Sequence, residues 1–193
     1  RSRYDQVATD FRLWTMRACD ALDRFLQQLQ QAIINSADAD LNLPMPGYTH
    51  LQHAQPVTWG HWILSYFWPL VRDRKRVAAV RAAAAVLPLG SAALAGSAFP
   101  IDRDFLAKEL GFVGMSPNSL DAVSNRDFAA DFLYACTMIG LHLSRLSEQL
   151  IIFSSSEFSF VSLDDGYSTG SSIMPLKKIP DSLELTRGKS GRL

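Results

Sequence analysis

Apolar residues recur in alternating steps of four and three along two long stretches, the spacing of a helix packed nearly parallel to its partners. One stretch carries Phe132, Cys136, Ile139, Leu143, Leu146, Leu150 and Phe153; the other carries Val7, Phe11, Trp14, Ala18, Leu22, Phe25 and Leu29. A third runs from Pro56, placed as a first-turn proline, through Trp59, Ile63, Tyr66, Leu70, Val77, Val80 and Ala84, with a kink expected at Pro69. The pattern predicts helices over about 4–38, 56–86, 102–110, 124–155 and 177–193 of one helical domain, the fourth leading into a loop over 157–176. Asp102 is placed to cap the short one. No useful length alternates with period two, so no sheet is expected and the fold class is all-α. Helices of this length leave apolar surface uncovered in a single chain, which points to a multi-subunit bundle.

Composition narrows the function classes. The 193 residues hold 19 Lys+Arg against 19 Asp+Glu and are 48% hydrophobic, which excludes intrinsic disorder and gives no basic excess for nucleic acid. The uncharged stretch Ala82 to Ile101 is long enough to raise a membrane span, but Pro88, Gly90, Gly96 and Pro100 would leave backbone groups unpaired in lipid. No membrane segment is therefore expected. Cys19 and Cys136 are too few for a disulfide framework and lack metal-ligand spacing, so the expected compartment is the reducing cytoplasm. The chain opens on Arg1-Ser2-Arg3 without Met and reads as an internal piece of a longer polypeptide.

The chemistry lies in the loops. Gly47 to Pro56 packs a hydroxyl, two imidazoles and two amides together, although a lone His in such a loop reads first as a solvated structural residue. Gly166 to Asp181 combines glycines and hydroxyls with Lys177 and Lys178 at the expected start of a helix. Such a segment can fold over an anion, and its plain alternative is a mobile surface loop. Asp181 beside Pro180 reads as a helix-start residue, His53 and His61 as structural, and His142 as a satisfied interface histidine.

Five segments in order carry a resemblance: Arg1-Ser2-Arg3 with Asp5-Gln6-Val7; Met45-Pro46-Gly47-Tyr48-Thr49-His50-Leu51-Gln52; Pro88-Leu89-Gly90-Ser91 to Ala95-Gly96; Asn118 to Ser124; and Gly170-Ser171-Ser172-Ile173-Met174-Pro175. Together they resemble the fumarase and aspartase superfamily of lyases, and within it the argininosuccinate lyase family. The resemblance implies a homotetramer with active sites shared between subunits and a small-molecule substrate, argininosuccinate. It implies elimination of fumarate through an aci-carboxylate intermediate, with no metal or cofactor. It gives Ser171 the role of base, ahead of its neighbour Ser172. Lys177 would hold the developing negative charge, His50 would serve the acid side, and Glu184 would fix its tautomer. Ser2, Arg3 and Thr49 would bind substrate, as would positions 4 and 179.

Those last two positions depart from the family pattern. Tyr4 and Ile179 stand where the family carries asparagine, Leu176 where it carries glutamine, and Asn125 where an acid is common. Three function classes therefore follow from the sequence. The first is argininosuccinate lyase, impaired by Tyr4, Leu176 and Ile179; the second is a catalytically silent crystallin-like structural relative. The third is a superfamily lyase acting on adenylosuccinate, fumarate or aspartate.

Overall fold

The computed structural model describes residues 3–174 and 176–192, so Arg1, Ser2, Pro175 and Leu193 lie outside the described residues. Its helices are α1 (Tyr4–Ala39), α2 (Trp59–Leu64), α3 (Phe67–Ala84), α4 (Arg103–Leu110), α5 (Ser119–Ser124), α6 (Asp127–Phe153) and α7 (Asp181–Ser190). The strands form three two-stranded ribbons. An antiparallel hairpin joins β1 (Pro44–Thr49) to β2 (Gln52–Thr58), a parallel pair joins β3 (Val86–Leu87) to β4 (Gly114–Met115), and an antiparallel pair joins β5 (Thr169–Gly170) to β6 (Lys178–Ile179). The fold is helical, with α1 packed on α3, α3 on α6 and α6 on α7.

Four expected boundaries change, each for a local reason. Pro56 lies in β2 rather than opening a helix, because the segment after Leu43 folds as a hairpin with Pro46 opposite Pro56 and a register shift between Pro46 and Tyr48. A two-stranded ribbon is all edge, so prolines can face outward without breaking a ladder, and they hide the strand pattern in the sequence. The expected helix 56–86 is two helices, broken at Ser65 and Tyr66. Pro69 causes the break one turn upstream of itself, since it has no N–H for the Ser65 carbonyl and its ring crowds that carbonyl. The expected helix 124–155 is α6, starting at Asp127, and the segment before it carries an unexpected short helix, α5, which Asn118 caps by accepting from the Leu120 and Asp121 amides. The last helix starts at Asp181, so Lys177 and Lys178 precede it instead of opening it.

The main core is built from Cys19, Leu26 and Ile33 of α1, Ile63 of α2, Leu70, Val77 and Val80 of α3, and Ala135 and Ile139 of α6. A second cluster gathers Met16, Ala84, Ala85, Leu87, Ala107, Phe112 and Phe128. On α1 the buried stripe is Ala8, Arg12, Thr15, Cys19, Leu26, Gln30, Ile33 and Ala37, one position away from much of the apolar seam read in the sequence. Val7, Trp14 and Phe25 of that seam are 49%, 55% and 65% exposed. The chain leaves Val7, Trp14 and Phe25 largely open, while Phe11, Leu22 and Leu29 of the same seam pack against the two clusters.

Most polar groups inside the bundle are paired to backbone or to each other, the buried Arg12 Nε and Ser91 Oγ being exceptions. Arg12 donates to the Ala83 carbonyl at 2.8 Å and to Asn125 Oδ1 at 3.1 Å, serving the free carbonyls of the last turn of α3, and its guanidinium stacks 4.4 Å from the Phe128 ring. Burial pulls the pKa of Arg12 down, and the neighbouring Arg126 adds to this. Asp73 is fully buried and accepts from Arg76 at 2.9 Å and lies 2.6 Å from His142 Nδ1. Among the described residues, no helix is long and apolar enough to cross a membrane.

Cys19 provides a test of this core. Burial, with Asp20 nearby, pushes its thiol from 9.0 up to about 11, so the fold favours the neutral form. The stabilisation is complete below pH 9 and is lost as pH rises towards 11, because the unfolded chain releases this proton first. The melting temperature of the native protein should therefore fall more steeply across that window than that of Cys19→Ala. Parallel slopes in a thermal scan series would contradict the assigned burial.

Candidate active site

The first candidate group sits at a hairpin tip. His50 and Leu51 form the two-residue turn between Thr49 and Gln52, with φ of 53° and 58°, the left-handed backbone that a tight hairpin turn demands of both residues. Neither is glycine, and a position held there against its preference is often found at a functional site. Thr49 and His50 are both exposed. Behind the tip, Tyr48 packs against His53, Phe153, Phe158 and Phe160 with ring centroids 5.1, 6.3, 5.3 and 6.2 Å away. Its hydroxyl lies 3.1 Å from His53 Nε2. At the root, the Trp59 amide donates to the Leu43 carbonyl and the Trp59 indole to the Ser36 carbonyl. Gly60 lies so close to the Leu41 backbone that a Cβ there would meet the Leu41 carbonyl oxygen at 2.8 Å.

The second group is organised by the β5–β6 ribbon, in which Thr169 pairs with Ile179 and Gly170 with Lys178. Residues 171–177 are thereby closed into a loop whose two ends, Ser171 and Lys177, leave the ribbon side by side. Ser171 Oγ accepts from the Met174 amide at 3.3 Å, and the Lys177 amide donates to the Met174 carbonyl at 2.9 Å. Lys178 is neutralised by Asp165, whereas Lys177 has no ion-pair partner among the described residues. A cleft of about 350 Å³ lies beside the ribbon, lined by Asp165, Ser168, Thr169, Gly170, Leu176, Lys177 and Lys178. The side chains of Ile173 and Leu176 point to solvent, 87% and 99% exposed. Ser182 Oγ donates to the Tyr167 carbonyl, tying α7 to this segment, and Glu184 lies exposed in the first turn of α7.

The third group is the start of α1. Arg3 is the N-cap residue, exposed, and its carbonyl accepts from the Val7 amide; Tyr4 follows at 69% exposure. Ser2 lies outside the described residues. Among the described residues, no hydrogen bond or ion pair joins His50 to Glu184, Ser171 or Lys177, or any of these to Arg3. The structure therefore brings Ser171, Lys177 and Ile179 together, and keeps the Thr49–His50 tip and the start of α1 as separate groups. Asp5, quoted only as part of a motif, was given no role by the sequence, and its burial at 7% is what singles it out.

A family model described as Lyase matches residues 1–193. The chain belongs to this lyase family. Its relatives include the argininosuccinate lyase of Roseiflexus castenholzii, 58% identical over all of this chain, and the probable argininosuccinate lyase of Schizosaccharomyces pombe, 52% identical over all of it. The chain spans 42% of the length of each. Among solved structures, EDDS lyase in complex with formate superposes with a TM-score of 0.95 at 31% identity, covering 99% of this chain and 38% of that one. A fumarate lyase:delta crystallin from Brucella melitensis bound to cobalt shares the fold at a TM-score of 0.84 and 22% identity, covering all of this chain and 44% of that one.

The turn conformation is open to measurement. A non-glycine residue in left-handed backbone costs roughly 1–2 kcal/mol, and Leu51 is 61% exposed with no packing to lose. Leu51→Gly should raise the urea midpoint by the equivalent of about 1 kcal/mol, part of the relief being offset by the greater freedom of glycine in the unfolded chain. A lowered midpoint would contradict the positive φ at this position.

Proposed function

We propose that this chain supplies the helical core and the main loops of an argininosuccinate lyase, a cytoplasmic enzyme of arginine biosynthesis. The observation that carries the reading is that relatives 52–58% identical across the whole of this chain bear that name. This favours it over adenylosuccinate, fumarate or aspartate as substrate and over a silent crystallin-like role.

In this reading Ser171 takes a proton from the carbon beside a carboxylate of the succinyl group, and the electron pair moves into that carboxylate as an aci-carboxylate. Lys177, without an ion-pair partner among the described residues, lies at the neck of the same loop and meets that charge, as donors placed in advance do for an oxyanion. Collapse of the aci-carboxylate forms the double bond of fumarate and breaks the carbon–nitrogen bond to arginine. His50 donates the proton that the departing guanidino nitrogen accepts, and Glu184 orients it. Thr49, Ser2 and Arg3 bind the substrate, together with positions 4 and 179. No step calls for a metal or cofactor.

The separation of the three residue groups supports a site assembled from several subunits. Exposed Val7, Trp14 and Phe25 on α1, with Leu133, Tyr134 and Leu141 on α6, supply apolar faces for a homotetramer. Light scattering on the complete protein should give four chains; a stable monomer would refute this.

Tyr4 and Ile179 lower the expected rate. Each hydrogen bond lost to a charged group is worth roughly 1.5–3 kcal/mol, so the pair should cost roughly a hundred- to ten-thousand-fold in kcat/KM if they add. Fumarate release by the full-length protein should rise accordingly in the Tyr4→Asn/Ile179→Asn double variant, and Ser171→Ala should lower kcat by roughly 10²- to 10⁴-fold. A normal enzymatic rate without the reversions would remove positions 4 and 179 from the binding site. An unchanged rate in Ser171→Ala would remove the base.

A further inference from the structure

We propose that Asp5 is a positioning residue, which fixes the substrate-binding start of α1 against the rigid loop after β3; this rests on the argininosuccinate lyase reading above. Asp5 is 7% exposed, and among the described residues no cation pairs with it. Its charge is met by amides instead. Oδ2 accepts from the Gly90 and Ala92 amides, both at 3.0 Å, and Oδ1 from the Gln6 amide at 2.9 Å. Bonds to an ionised acceptor are about twice as strong as neutral ones, and the first turn of a helix further favours an anion.

The loop is shaped for this contact. Gly90 and Ala92 have φ of 95° and 51°, a bend that turns two amides towards one oxygen. Ala92 is held in left-handed backbone without being glycine, a conformation that needs support from its surroundings. From the other side Arg103 donates to the Leu89 carbonyl at 2.9 Å and to the Leu87 carbonyl at 3.2 Å. A Cβ on Gly90 would meet the Arg103 side chain at 2.9 Å, so the two are in close contact. The loop is thus braced by Arg103 and gripped by Asp5, which follows Tyr4 and Arg3 directly in sequence. A helix start frays unless something ties it, and Asp5 is the tie between Arg3 and a fixed frame.

The test uses the full-length protein with Asp5→Asn, nearly isosteric but uncharged and presenting an NH₂ group to backbone donors. Asp23→Asn is the control, since it removes another paired carboxylate of α1, the partner of Arg74, away from the proposed site. Asp5→Asn should raise KM for argininosuccinate roughly tenfold or more with a smaller change in kcat, and Asp5→Glu should recover part of it. Asp23→Asn should lower the melting temperature slightly with KM within about twofold. Hydrogen exchange over residues 3–9 and 88–96 should quicken together in Asp5→Asn alone. A lowered melting temperature with unchanged KM in Asp5→Asn would make the carboxylate merely structural and overturn the proposal. Exchange needs no turnover: if the unsubstituted protein releases no fumarate, the proposed reaction fails, while coupled loosening of the two segments still supports the tie and unchanged exchange overturns it.

Discussion

Asp73 lies at zero exposure on the face of α3 that meets α6, and a carboxylate at that depth is tolerated only when its oxygens are satisfied. Arg76 serves one oxygen from the same helix, one turn on, and His142 serves the other from α6. The pairing fixes which turn of α6 faces which turn of α3, because sliding either helix by a residue would leave the buried oxygen that faces His142 without its partner. Everything downstream inherits that register. The end of α6 brings Phe153 to the aromatic cluster that holds the hairpin, and Glu148 of α6 pairs with Arg187 to seat α7 against α6. Buried ionic pairs add little net stability compared with apolar packing, and their value in setting register suits this position.

The helices were legible because apolar spacing survives whatever covers it. Which face of α1 is covered was not legible. The buried stripe contains Arg12 and Gln30, whose partners lie on α3 and around Asn125, far away in sequence, and Thr15, which bonds back to the Phe11 carbonyl. The more apolar seam is only half covered by the single chain, which leaves Val7, Trp14 and Phe25 open. The hairpin escaped notice because Pro44, Pro46 and Pro56 read as loop or helix start, a sign that fails in a ribbon with no central strand. Asp73 and His142 were individually visible, but 69 positions separate them.

For the candidate site, motif order located the residues and could not arrange them. Ser171 and Lys177 are neighbours because two short strands pair, and two-residue strands carry no periodic signal. Asp5 was in view within a motif, yet a carboxylate on a helix start ordinarily reads as a favourable dipole contact. Its meaning came from the two loop amides converging on it from 85 and 87 positions away.

The hairpin has a mechanical consequence. Its root is fixed by the Trp59 bonds and by the close approach of Gly60 to Leu41, while His50 rides at the far end of a ribbon six residues long in β1. At about 3.3 Å per residue the ribbon is a cantilever of about 20 Å, so a tilt of about 5° at the root would carry the imidazole nearly 2 Å. Tyr48 is wedged among three phenylalanines two residues short of the tip, and it acts as a prop that shortens the free span to the turn itself. Reacting groups displaced by an ångström can lose a hundredfold in rate. The accuracy of the imidazole's placement thus depends on the Tyr48 ring and on the stiffness of the aromatic cluster beneath it.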